Sequence, residues 1–303
     1  MAVFIQSFKF TTEMPADELW KTRIGHVSGS SLKNIKVSPL HFMEAEKAEP
    51  TPAKIFGSMY HKFILEQNDF ENKYFVFNER AILEKLLGEG AKSPRSTNAY
   101  KEWHEAQMNQ AQGKEMIDLQ TLEVLKKMKD RLFRHRYCYS LLNNGEAEKS
   151  FYCTVNTFDG KETNVIMRPD YLKYQKHAVI ELKTSIDASK EEFPKQCVNF
   201  DYHISAALYK DFMERISGDN VPWSFFFIVQ ETKAPYAFNI FEASAQFIAQ
   251  GWYECEQLIM LYNQCRENNH WPGYQVWCQN QYGINEISLP PWGIKDLTFY
   301  NHK

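Results

Sequence analysis

Residues 164–185 read NVIMRPDYLKYQKHAVIELKTS, and the architecture turns on how this stretch is folded. It holds two strand-sized apolar runs, NVIMRPDYLKY and AVIELKTS, separated by only a few residues. Side chains alternate across a strand, so Glu181 and Lys183 share one face while Leu182 enters the opposite packing layer. A tight hairpin then sets the Asp170 carboxylate beside that of Glu181. Two carboxylates with the Leu182 backbone carbonyl between them form a hard oxygen site suited to Mg2+ or Mn2+. Such an ion polarises a phosphodiester and lowers the pKa of a bound water. Lys183 adds a compact positive charge that can orient the water or neutralise the transition state. An Asp and a Glu-x-Lys on neighbouring strands also occur as solvated edges or salt bridges. Here the flanks are VIM and AVI, which place the charges at the ends of buried strands.

Upstream, KSFYCTVNTF is a further strand, joined to the next by an Asp159-Gly160 turn. Downstream come a helical pattern over residues 189–217, two strands (WSFFFIVQE and YAFNIFE), a long helix from Ser244 to about Asn268, and an aromatic, Pro-rich tail. In IFGSMYHKFILEQ, Phe56, Met59, Tyr60, Phe63 and Ile64 recur at helical spacing, which predicts an amphipathic helix over residues 55–67. Residues 68–145 read as mainly helical, above all 96–110 and 119–135. Nearer the start, Ser31 or Ser30 is placed to cap a helix and Pro39 to open another. The expectation is one α/β domain over residues 1–303. Residues 1–145 would be mainly helical, and 146–303 would hold a mixed central sheet, with the metal site at one edge, flanked by helices.

The 303 residues are 44% hydrophobic and 24% charged, an ordinary globular composition. A net charge of -3 gives no global sign of nucleic-acid binding, so any such surface must be local. The absence of an apolar run long enough for a membrane span and of a secretory leader makes the cytoplasm the expected compartment. The six cysteines lack a C-x-x-C pair and read as buried free thiols. Lys126, Lys127, Lys129, Arg131, Arg134 and Arg136 form the densest basic run, read as a solvated helix face in preference to a DNA contact. Trp271, Trp277 and Trp292 are read as core residues rather than base-stacking platforms.

These motifs resemble the PD-(D/E)XK nuclease superfamily and, within it, the exonuclease VIII (RecE) group of phage and prophage exonucleases. The similarity is carried in order by SGSSLKNIKVSPLHF, FGSMYHKFILE, RPDYL, IELKTSIDAS, FDYHISAALYKDF, VQETKAPY and the WPGY…LPPW tail, from about residue 29 to 293. The resemblance implies a restriction-endonuclease-like core and a Mg2+- or Mn2+-dependent exodeoxyribonuclease acting on double-stranded DNA ends, 5′ to 3′. Its product would be a 3′ single strand for a RecT-type annealing protein, and a ring-shaped homo-oligomer would be plausible. By the same resemblance His61, Asp170, Glu181 and the Leu182 carbonyl are metal ligands and Lys183 is the catalytic lysine. Tyr209 would help position DNA or the site, and Glu148 is an accessory acid or a plain surface carboxylate. The group's glutamine four residues before the tyrosine is Ser205 here, with His203 or Tyr202 available to compensate. The chain has no cysteine before residue 138, so no iron–sulfur cluster of the kind some relatives hold is expected. Two rival readings are an endonuclease on the same core and a DNA-binding protein that has lost the chemistry.

Overall fold

A computed structural model describes residues 4–16, 18–46, 49–278 and 282–291. In chain order the first half contains β1 (Ile5–Thr11), α1 (Gly29–Val37), α2 (Pro39–Glu44), α3 (Pro52–Leu65), α4 (Gln67–Lys73), β2 (Tyr74–Phe77), α5 (Glu79–Gly88), α6 (Asn98–Ala111), β3 (Glu115–Asp118), α7 (Leu119–Phe133) and α8 (Arg136–Leu142). The second half contains β4 (Glu146–Ala147), β5 (Phe151–Thr157), β6 (Glu162–Met167), β7 (Tyr171–Lys173), β8 (Ala178–Ser185), α9 (Phe193–Asn199), α10 (Tyr202–Ser217), β9 (Ser224–Glu231), β10 (Phe238–Glu242) and α11 (Ala245–Asn268).

The central sheet has the order β10-β9-β8-β7-β4 and is mixed, with β8 and β9 parallel and the other pairs antiparallel. Alternation along β8 divides the interior in two. Val179 joins a core with α1, α9, α10 and α11, whereas Ala178, Ile180 and Leu182 enter a second core with α3, α7 and α8. Burial on both faces explains why β8 and β9 read as near-continuous apolar runs.

Four expectations are refined. The run NVIMRPDYLKY is two strands in two sheets: β6 lies in an antiparallel β1-β5-β6 sheet, and β7 lies in the central one. The break falls at Arg168-Pro169-Asp170, where Pro169 has no N–H to donate and Asp170 spends its own on a side chain. The mainly helical first half also carries β1 and a parallel β2–β3 pair. Helix α1 is capped by Ser28, with Ser31 completing a reciprocal capping box, rather than by Ser30 or Ser31. Pro39 opens α2 as expected. The helical pattern over 189–217 is interrupted at Asp201, whose φ of 51° ends α9 and turns the chain into α10.

Five of the six cysteines are buried and Cys278 is partly exposed. Trp271 packs on Phe42 and Tyr262, while Trp277 is 48% exposed and donates to the Val37 carbonyl. Trp292 lies outside the described residues. Among the described residues no helix is long and apolar enough to cross a membrane.

Candidate active site

Asp170 and Glu181 meet because β7 and β8 pair antiparallel with Tyr171 opposite Ile180, which leaves the two acids as the next pair outward. The Asp170 backbone N–H donates to Glu181 Oε1 (3.2 Å), and Asp170 Oδ2 accepts from the Leu182 N–H (2.8 Å). Lys183 Nζ stands 2.6 Å from Glu181 Oε2 and 3.6 Å from Asp170 Oδ2. The three side chains therefore converge, at the start of β7 and the middle of β8, both interior strands, rather than along a lateral edge of the sheet.

The remaining groups arrive from both layers. Helix α3 brings His61 Nδ1 to 3.6 Å from Asp170 Oδ1. The Leu182 carbonyl lies close enough to the imidazole to favour its protonated form, although burial outweighs this and lowers the His61 pKa. Glu148 has a φ of 50° and donates its N–H to the Asp170 carbonyl, which turns its side chain inward. Ligand atoms of His61, Glu148 and Asp170 all lie within 4.8 Å of one another. Glu148 is thus part of the cluster rather than a plain surface acid, held also by Arg168 Nε at 3.2 Å. Sequence alone left it open because a lone Glu before a strand carries no spacing signal.

Charge is finely balanced here. Burial, then the Asp170 charge, pushes the Glu181 carboxyl up to about 7. Burial followed by Asp170 also raises Glu148. Burial alone would lower Lys183, but Glu181 and Asp170 outweigh it and hold the ammonium firmly charged. Three acids face Lys183, Arg168 and a histidine biased to neutrality, so the carboxylates are only partly compensated. Carboxylates, a carbonyl and an imidazole are donors that fit Mg2+ or Mn2+.

Helix α10 covers the Glu181–Lys183 face. The Tyr202 ring lies 5.5 Å from Lys183 Nζ. Tyr209 is partly buried, with its pKa raised by burial and then by Glu181 and Asp170, and its hydroxyl lies near the Arg168 carbonyl. Ser205 faces α1 so closely that a Cβ on Gly29 would stand 2.5 Å from its Oγ. His203 does not compensate for the missing glutamine: its Nε2 points 3.1 Å from Glu254 Oε1, on the far side of α10. A cleft of about 530 Å³ opens next to Thr184, between the start of α3 and the start of α7. Lys126, Lys127, Arg131, Arg134 and Arg136 are exposed, as a solvated helix face requires. Lys129 instead folds onto Gln67.

The paired acids and lysine on a broken strand and its neighbour, within a mixed sheet sandwiched by helices, define a site of the PD-(D/E)XK class. Residues 28–281 match the family described as PDDEXK-like domain of unknown function (DUF3799), and the chain belongs to this family, within the PD-(D/E)XK nuclease superfamily. Among solved structures it is similar to a "Putative exonuclease" from Eubacterium rectale, with 13% identity and a TM-score of 0.56 over 92% of this chain and 96% of that one. At that identity the likeness concerns the fold. No curated protein sequence matches the chain.

Proposed function

We propose that the protein is a divalent-metal-dependent exodeoxyribonuclease. In this reading it hydrolyses phosphodiesters at double-stranded DNA ends, 5′ to 3′, and leaves 3′ single strands for a RecT-type annealing protein. The observation that carries the reading is the convergence of Asp170, Glu181, Lys183 and His61, with Glu148, on one spot. His61, Asp170, Glu181 and the Leu182 carbonyl would hold Mg2+ or Mn2+, and Glu148 adds a further carboxylate. When bound, the ion supplies the Lewis acidity that polarises the phosphodiester and acidifies a water. Lys183 is held against both carboxylates, where it can orient the nucleophile and neutralise charge building on the phosphate. Tyr209 keeps the Arg168–Asp170 turn in place behind the metal ligands. The Eubacterium rectale neighbour's description as an exonuclease agrees with an end-directed activity.

The test is digestion of end-labelled linear duplex and closed circular duplex, with Mg2+ and with chelator. Metal-dependent loss of the linear DNA alone is the expected result. Cutting of the circle would establish an endonuclease instead. DNA retained on a gel without cleavage in Mg2+ or Mn2+ would mean a binding protein.

A further inference from the structure

Lysine residues near the site are neutralised in different ways. Lys183 is matched by Glu181 and Asp170. Lys36, on α1, bridges Asp201 (2.5 Å) and Glu254 (2.7 Å), and so fills the other cluster of acids and histidine among the described residues, Asp201–His203–Glu254. Lys33, one turn earlier on the same helix, has no hydrogen bond or ion pair among the described residues. Its ammonium lies 5.1 Å from the centre of the Tyr202 ring, the same ring that Lys183 Nζ approaches at 5.5 Å. The close seating of Gly29 on Ser205 fixes α1 against α10 and so fixes where Lys33 points. The Asp201 and Glu181 carboxylates act on this half-buried ammonium only through space and neither pairs with it, so among the described residues it has no anion in hydrogen-bonding contact. Burial, then repulsion from Lys183, pushes its pKa down to about 8, and a phosphate alongside would hold the ammonium more firmly charged.

We infer that Lys33 is a phosphate-binding residue: it takes the backbone phosphate next to the scissile one, with the Tyr202 ring as the spacer between it and Lys183. This rests on the reading of the protein as a nuclease and adds the register of the strand across the site. Tyr202 offers both ammoniums a π-face, and whereas Lys183 donates to Glu181, the N–H groups of Lys33 are left for phosphate oxygens.

The test uses the full chain and a short end-labelled duplex. Binding is measured in Ca2+ across a salt series, and turnover is measured in Mg2+, for wild type, Lys33→Met and Lys33→Arg. The expected result for Lys33→Met is a roughly tenfold rise in KM, with kcat within a few-fold of wild type. The salt dependence of binding should also lose about one phosphate contact. Lys33→Arg should recover most of the loss. A single neutral methylphosphonate beside the scissile position should weaken wild type but add little to the Lys33→Met defect. An unchanged salt slope in Lys33→Met, or a loss in kcat alone that arginine does not recover, overturns the assignment and leaves the nuclease reading intact. Failure of the wild type to bind any DNA in Ca2+ overturns both.

Discussion

Lys183 sits among two buried carboxylates, and what holds the trio together is mutual compensation: each charge would be costly to bury alone. Asp170→Ala or Lys183→Ala is expected to reduce DNA cleavage by orders of magnitude while the far-ultraviolet circular dichroism spectrum stays native. Wild-type-like cleavage by either variant would remove the proposed chemistry. The raised Glu181 carboxyl makes a separate prediction about pH. A carboxyl whose pKa rises on folding favours the native state when protonated. That contribution is full below the ordinary value of 4.5 and is lost as pH rises through about 7. Metal ligation needs the ionised form. Divalent-ion affinity should therefore climb from about pH 6 to about pH 8, with proton release on binding. Titration calorimetry in buffers of different ionisation enthalpy measures both, and a flat affinity without proton release would contradict the account.

At the scale of elements, the site depends on α3 keeping His61 over Asp170 and the middle of β8. One anchor is the buried hydrogen bond from Tyr60 Oη to Gln230 Oε1 (2.8 Å), whose amide nitrogen also donates to the Met128 and Tyr236 carbonyls. One glutamine thus ties α3, α7 and the β9–β10 turn together. Tyr60→Phe leaves a buried acceptor unpaired and is expected to cost about 1–3 kcal/mol in urea denaturation. On the other layer, α11 crosses α10 at Gly251, where a Cβ would stand 2.0 Å from the His203 carbonyl oxygen. Gly251→Ala must therefore push the helices apart. A loss of about 1–3 kcal/mol or more is expected, seen as a lower denaturation midpoint at unchanged m-value. A midpoint equal to wild type would mean that the two helices are not held at this distance.

For the molecule as a whole, the two cores meet at β8 and leave the acidic cluster beside it, where closely set carboxylates work against the metal-free fold. Mg2+ or Mn2+ should accordingly raise the melting temperature of the wild type. Saturation at a hundredfold excess over Kd is worth about 2.7 kcal/mol. Asp170→Ala should lose most of that increment, and an equal shift in both proteins would place the stabilising ion elsewhere.

The β7–β8 hairpin, the facing of Glu181 and Lys183 and the long helices were legible in the sequence because each depends on local rules: alternation, helical spacing and capping residues. The Asp170–Glu181–Lys183 convergence follows from those rules once two short strands pair in register. Tertiary structure alone decided the splitting of NVIMRPDYLKY between two sheets, since a proline break does not say which neighbours the two pieces will find. It also decided the recruitment of Glu148 and the placing of Lys33 across a tyrosine from Lys183. Those groups are brought together by packing between segments far apart in the chain, and long-range packing leaves no periodic trace in a single sequence.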